Sequence, residues 1–157
     1  MNTEQRFLLS QGFPEPAPES CGLHFGALQF QPRVIGIMVL AGMVLQSVAR
    51  LPSIALFVML GIVLWWGALV PDANVFEWAY NLTSPRHRLT RAPVPRRFAQ
   101  GLAGGMAFTI AACLFMHWVL AAIVVELLLL AAVAGILFAK FCFGSWLYHG
   151  MFTRRSF

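Results

Sequence analysis

The sequence predicts an all-α integral membrane protein in which four transmembrane helices form two antiparallel hairpins. Three observations support this fold class. Hydrophobic residues make up 59% of the 157 residues, the mean hydropathy is +0.74, and the apolar residues are gathered in long blocks. A soluble domain is closer to half apolar. The blocks predict a membrane domain over residues 34–149, with spans at 34–49, 53–70, 99–118 and 121–148.

The first hairpin is predicted from two spans of nearly minimal length. About 18 helical residues cover roughly 27 Å, close to the thickness of a hydrocarbon core of about 30 Å. Only Arg50, Leu51 and Pro52 separate these spans, so they must run antiparallel. Pro32 and Pro52 suit the first turns of the two helices, where a missing N–H costs nothing.

The second hairpin is predicted from the apolar run between Phe98 and Tyr148, which is too long for one span and sufficient for two. Neither Gly nor Pro marks a turn near its middle. We place the turn at His117–Leu120, because the pair His117 and Trp118 interrupts the run and suits the depth of the lipid headgroups.

The connector at 71–97 is predicted to begin with a short helix and to end as an extended loop. Asp72 is an N-cap type residue. Residues 72–82 place Val75, Phe76, Ala79, Tyr80 and Leu82 on one helical face, which favours a helix lying in the membrane interface. The alternative is an irregular loop.

The distribution of arginine predicts the orientation. Nine arginines fall on one side of the four spans, and only Arg50 falls on the other. The nine are Arg6, Arg33, Arg86, Arg88, Arg91, Arg96, Arg97, Arg154 and Arg155. The positive-inside rule makes their side cytoplasmic, so segment 1–33 and tail 150–157 are both expected in the cytoplasm of a bacterial inner membrane protein. The connector arginines at 86, 88, 91, 96 and 97 are expected to contact anionic headgroups.

Three segments resemble a known family. They are Gln31-Pro32-Arg33-Val34, the run from Ala92 to Gln100 with its Pro-Arg-Arg-Phe-Ala-Gln element, and the run from Phe141 to Tyr148. They are similar to bacterial membrane proteins grouped as domain of unknown function 4395. The resemblance covers roughly residues 30 to 150 and implies a four-helix membrane fold with no established activity. The family's last helix often carries Cys-x-x-Cys. Here Cys142 is followed by Ser145, which leaves one thiol in the motif.

Two ionisable residues are predicted to pair at the outer surface. Glu126 lies early in the fourth span, and Arg50 is the only cation expected on that side. Because burying a charge in lipid is costly, we predict an Arg50–Glu126 ion pair, with a proton relay at Glu126 as the alternative. Lys140 lies near the cytoplasmic end, where its side chain is expected to snorkel to the surface.

Cofactor sites are predicted only weakly. Cys21, His24, Cys142 and His149 would all be cytoplasmic and would suit zinc, with unconnected residues as the alternative. His117 is a candidate ligand for haem or a pigment, with headgroup anchoring as the alternative. No cofactor is required by the sequence.

Small residues predict where the third and fourth spans pack. Gly101 and Gly105 on one helix, and Ala131 and Gly135 on the next, have the four-residue spacing that lets helix backbones approach closely. The same motifs would also suit recruitment of a partner's helix.

The function predicted first is that of a non-catalytic accessory or assembly subunit of a larger membrane complex. No phosphate loop, nucleophile–base pair or carboxylate pair indicates an enzyme. The expected partners are lipid and other membrane subunits, and no nucleic acid is expected. A thiol or sulfur-handling protein acting through Cys142 and a small oligomeric transporter are the alternatives.

Overall fold

The computed structural model describes residues 18–83 and 93–152, with side chains from residue 26 onward except at positions 27, 71, 81 and 83. This part of the chain is helical and contains no strand. Its helices are α1 (Pro18–Val48), α2 (Arg50–Leu69), α3 (Val75–Thr83), α4 (Val94–Phe115), α5 (Val119–Phe138) and α6 (Phe143–Phe152), and a 3-10 turn covers Pro71–Ala73.

Four of the described helices are long and apolar enough to cross a membrane. The candidate spans are Leu28–Val48, Arg50–Leu69, Val94–Phe115 and Val119–Phe138. They form two hairpins, which confirms the predicted fold class. We call the end of the bundle that holds Ala49 and Met116–Trp118 the turn end. The opposite end, where α3 and α6 lie, is the connector end.

The first helix begins earlier than the sequence indicated. Residues 18–33 were expected to belong to a separate polar segment, but they are the first half of α1. Pro32 therefore lies inside this helix and not in its first turn. Membrane helices tolerate such a proline because neighbouring groups satisfy the freed carbonyl. Pro52 is the third residue of α2, as its predicted place in a first turn requires.

The turn between α4 and α5 lies at Met116–Trp118, within the region that the sequence indicated. His117 adopts a positive φ of 63°. The Trp118 N–H donates to the Cys113 carbonyl at 2.8 Å, and the His117 N–H donates to the Leu114 carbonyl at 3.2 Å. These two bonds are those of a Schellman motif, which ends a helix by satisfying its last carbonyls. Histidine here takes the place that glycine usually fills.

The predicted fourth span, 121–148, is wrong in its second half. Helix α5 ends at Phe138, and residues 139–142 are not helical. Lys140 adopts a positive φ of 51°, and the Gly135 carbonyl accepts from both the Ala139 and Phe141 N–H groups. These bonds close α5 and let the chain change direction, so that α6 starts as a separate helix too short to cross a bilayer.

The core of the bundle lies between α2 and α4, which form the most extensive helix pair. Phe57, Leu60 and Leu64 of α2 and Ile110 and Leu114 of α4 are fully buried. Near the turn end, the Ser53 hydroxyl of α2 donates to the Gly42 carbonyl of α1 at 3.0 Å, which links the two helices of the first hairpin. Buried hydroxyl-to-backbone bonds of this kind hold membrane helices together.

The small-residue motifs do not pack α4 against α5 as predicted. The close approach on α4 is at Gly104, where an added Cβ would collide with the Trp65 ring of α2. Gly101 faces Ala68 of α2, and Gly105 faces open space. Spacing identifies a small-residue stripe, but it does not tell which neighbouring helix lies against it.

The partner stripe on α5 is also placed differently. Ala131 is exposed, and a Cβ on Gly135 would meet the Phe141 carbonyl oxygen at 3.5 Å rather than α4. Gly135 therefore contributes to the C-terminal end of α5, where its carbonyl accepts the closing hydrogen bonds. Neither residue contributes the predicted helix–helix contact.

The connector begins with the predicted short helix. Asn74, not Asp72, is its cap, because the Asn74 side-chain oxygen accepts from the Phe76 N–H at 3.1 Å. Phe76 is buried in the core, whereas Val75 and Leu82 of the predicted apolar face are exposed. The helix is thus anchored in the core through Phe76 and presents Val75 and Leu82 outward.

Candidate functional site

The three segments that carry the family resemblance meet at the connector end. Gln31 comes from α1, Arg96 and Gln100 come from the first turns of α4, and Cys142 immediately precedes α6. All four residues line one groove. The segments are far apart in sequence, so their meeting is a property of the fold.

Arg96 is the centre of a buried polar network. Its Nη2 donates to Oε1 of Gln31 at 3.2 Å, and its Nη1 lies 3.4 Å from Oε1 of Glu77 on α3. Only 7% of Arg96 is exposed. A buried arginine needs such partners because an unpaired charge out of water is very costly. The expectation that Arg96 contacts headgroups is therefore wrong.

Glu77 is the acidic partner in this network. Burial raises the pKa of Glu77 above its ordinary value of 4.5, Arg96 opposes this rise, and Asp72 adds to it. Desolvation disfavours the charged carboxylate, whereas the guanidinium favours it. The carboxyl therefore gains a proton more readily than an exposed glutamate does.

Arg97 has a different structural task. Its Nε donates to the Ala68 carbonyl at 2.8 Å, and its Nη2 donates to the Leu69 carbonyl at 3.4 Å. These carbonyls lie at the end of α2, where the helix has no N–H groups left to satisfy them. Arg97 caps α2, and its predicted headgroup contact stays a prediction. Arg86, Arg88 and Arg91 lie outside the described residues, so their predicted contact with lipid stays a prediction.

Gln100 links α4 to the residues before α3. Its Oε1 accepts from Asn74 Nδ2 at 3.5 Å, and its amide nitrogen lies directly against Gly67 of α2. Any side chain at position 67 would occupy the space of this amide. The Gln100 side chain therefore joins three elements at the connector end.

Cys142 occupies the N-cap position of α6. Its carbonyl accepts the first helical bond, from the Trp146 N–H at 3.0 Å, and 6% of the residue is exposed. Cys142 and Arg96 lie within electrostatic range of each other. A helix N-terminus and a nearby guanidinium are the surroundings in which reactive cysteines are found.

The approach of α6 to α4 depends on Gly144. A Cβ at this position would lie 2.5 Å from the Ala99 Cβ and 2.7 Å from the Ala99 Cα. Contact with backbone atoms cannot be relieved by a side-chain rotation. Gly144 thus brings the Cys142 segment directly onto the Pro-Arg-Arg-Phe-Ala-Gln element.

The groove beside Cys142 has a volume of about 670 Å³. Its polar lining comes from Gln31, Arg96 and Gln100 at the connector end. The remaining lining is almost entirely apolar and comes from α1, α4, α5 and α6, with Ile35, Met106, Leu128 and Ile136 among its side chains. A site of this kind suits a small apolar or amphipathic molecule.

The predicted Arg50–Glu126 ion pair is wrong. Glu126 is fully buried, and its Oε2 accepts from Gln46 Nε2 of α1 at 3.1 Å. Arg50 is exposed at the turn end, where its guanidinium contacts Nδ1 of His117. The two charges lie on the same side of the bundle, but Glu126 is about two helical turns inside α5, beyond the reach of the surface arginine.

The cofactor predictions remain open. His117 contacts Arg50 and is exposed, and its role as a haem or pigment ligand stays a prediction. The side chains of Cys21 and His24 are outside the described residues. Cys142 is buried and His149 is exposed on α6. Within the described part of the chain, no group of three or more His, Cys, Asp or Glu residues is placed to hold a metal.

These features define a multi-pass membrane protein with a polar cluster at one end of a four-helix bundle. Residues 27–152 match the family model described as Domain of unknown function (DUF4395). The chain therefore belongs to this family. No curated protein and no solved structure matches the chain.

Three polar residues that the structure makes prominent had only weak signals in the sequence: Gln46, Glu77 and Gln31. Gln46 is a polar residue in a mostly apolar span, which indicates an interhelical bond. Glu77 and Asp72 are the only acids of the connector, and Gln31 belongs to a family motif. Such signals do not show which side chain each residue contacts, because that depends on how the helices pack.

Proposed function

We propose that this protein is an integral membrane thiol protein that undergoes thiol–disulfide exchange through Cys142. The observation that supports the proposal is the meeting of Cys142, Arg96 and the N-terminus of α6 at a groove. The thiol is largely shielded from the surface, so a substrate would approach it through the groove. The apolar lining favours a small apolar or amphipathic disulfide or thiol.

The chemistry of this proposal needs only one cysteine. The Cys142 thiolate attacks one sulfur of a small disulfide, a new S–S bond forms, and the old one breaks. The released thiolate takes up the proton that Cys142 gave away. Because Ser145 stands where relatives often have the second cysteine, an external thiol is required to release the mixed disulfide and restore Cys142.

The test is modification of the full-length protein in mild detergent by dithiodipyridine, an apolar disulfide whose released thione absorbs light. Peptide mapping identifies the modified cysteine. We expect Cys142 to react faster than the half-buried Cys113, and Cys142→Ser to abolish the fast phase. Cys113→Ser is the matched control and should leave it intact. A fast phase that survives Cys142→Ser would refute the proposal.

A second candidate is the accessory subunit. The supporting observation is an exposed aromatic surface at the connector end, made of Phe143, Trp146 and Phe152 on α6, where Trp146 is 59% exposed. Exposed apolar surface outside a span suits either a partner or the lipid interface. A photo-crosslinking amino acid at position 146 in native membranes tests this proposal. A discrete protein adduct supports it, and adducts to lipid alone count against it.

We also propose that the connector end faces the cytoplasm of a bacterial inner membrane, as the arginine distribution indicates. Reporter fusions at both termini test this orientation. Activity from a periplasmic reporter at either end would reverse it.

A further inference from the structure

Glu126 is the centre of a second polar site, distant from the connector end. It lies on α5 within a candidate membrane span, about 10 Å along the helix from Val119, and it is fully buried. Gln46 of α1 faces it and donates one hydrogen bond to Oε2. A carboxyl group in this position is exceptional, because membrane-buried acids are rare and costly.

The contact with Gln46 leaves two acceptor oxygens without a donor. Oε1 of Glu126 and Oε1 of Gln46 are both buried and have no hydrogen-bond partner in the described part of the chain. An ionised carboxylate accepts hydrogen bonds but donates none. If Glu126 were ionised, neither of these two oxygens would have a donor, and buried polar groups are rarely left in that state.

Among the residues that the structure describes, the helices packed against α5 bring no cation to this depth. α5 packs on α1 and α4. On α1, Arg33 is thirteen positions from Gln46, which is about 20 Å along a helix. The titratable group toward the turn end of α4 is the Cys113 thiol, and the arginines of α4 lie in its first turn at the opposite end.

The remaining charged groups of this region are also displaced. Arg50 follows Gln46 by four positions, across the break at Ala49, and it is exposed and contacts His117. Lys140 follows Glu126 by fourteen positions, about 21 Å along the chain if it were helical. A buried carboxyl without a nearby cation is neutralised most simply by a proton.

We propose that Glu126 and Gln46 form a proton-binding site inside the bundle, in which the Glu126 carboxyl carries a proton at neutral pH. The bound proton removes the buried negative charge and adds one donor to a pair that otherwise has unpartnered acceptors. The site is independent of Cys142, which lies at the other end of the bundle.

Infrared difference spectroscopy of the full-length protein in lipid, in H₂O and in D₂O, tests this proposal. The wild type at neutral pH should show a protonated-carboxyl band that shifts on deuteration and disappears in Glu126→Gln. Asp72→Asn, which changes an exposed carboxylate, is the control and should retain the band. Gln46→Leu should move the band to higher frequency, because the carboxyl loses its hydrogen bond.

Three results would overturn the proposal. They are the absence of the band from the wild type at neutral pH, its persistence in Glu126→Gln, and its loss when sodium or potassium chloride is added. The last result would make the site a cation site instead of a proton site. The wild-type spectrum and the Gln46→Leu variant keep the test decisive if Glu126→Gln fails to fold.

Discussion

The Arg96 guanidinium lies 3.2 Å from the Gln31 side-chain oxygen, although 65 positions of sequence separate the two residues. This contact joins α1 to the start of α4. The same guanidinium reaches Glu77 of α3, so one side chain ties together three elements at the connector end. The bundle is therefore organised there by a buried charge and not by apolar packing alone.

Arg96→Gln should lower the free energy of unfolding substantially. The substitution leaves Glu77 in a largely buried position without its cation, and breaking a buried pair on one side costs about 3–5 kcal/mol. Adding Glu77→Gln should recover part of the loss, because the uncompensated carboxylate is then removed. Thermal unfolding of the single and double variants in detergent measures both effects. Additive losses would show that the two side chains act independently.

Stability should depend on the ionisation of Glu77. Burial raises the pKa of this carboxyl, so the folded state binds more protons than the unfolded state between pH 4.5 and the raised folded value. The free energy of unfolding should therefore fall as the pH rises through this window. Glu77→Gln should remove this part of the pH dependence. The prediction would be contradicted if, as the pH rises through this window, the free energy of unfolding of the wild type increased relative to that of Glu77→Gln.

Gly104→Ala should destabilise the bundle, whereas Gly105→Ala should not. The added methyl at position 104 collides with Trp65 on the closely packed α2–α4 face, and overpacking costs about 1–3 kcal/mol. At position 105 the methyl enters open space, and alanine is the better helix former. The melting temperatures of the two variants in detergent, each compared with that of the wild type, test this prediction. Equal losses from both variants would mean that Gly105 also lies in a contact.

Gly144→Ala should displace α6 from α4 and expose Cys142. The methyl meets the Ala99 backbone at 2.7 Å, so the helix itself must move. Gly150→Ala on the same helix meets nothing within 4 Å and is the matched control. Alkylation of Cys142 by a water-soluble maleimide should be faster in Gly144→Ala and unchanged in Gly150→Ala. Unchanged alkylation in both variants would count against the docking of α6.

The fold class was predictable because it depends on the lengths of the apolar blocks and on one polar interruption at His117. The end of the fourth span was not. Residues 139–142 contain neither Gly nor Pro, and Lys140 adopts its positive φ without a sequence signal that requires it. Hydropathy continues through this break, so a pattern of apolar residues cannot locate it.

The candidate site was predictable only in part. Cys142 and the motif of Arg96 were identified from their resemblance to a family, but the burial of Arg96 was not. The positive-inside rule treats every arginine of a connector alike, whereas the structure places Arg96 inside the bundle and uses Arg97 to cap α2. The error over Arg50 and Glu126 has a similar cause, because shared depth does not determine which side chains face each other.

The central claim is that Arg96 and the groove make Cys142 reactive. It is tested most directly by the rate at which dithiodipyridine modifies Cys142. This rate is compared between the wild type and the Arg96→Gln, Glu77→Gln double variant. The double variant removes the guanidinium near the thiol without leaving a buried charge. If Arg96 and the groove make Cys142 a functional thiol, its reaction should slow in the folded double variant while that of Cys113 stays unchanged. Equal rates at Cys142 in the two proteins would contradict the account.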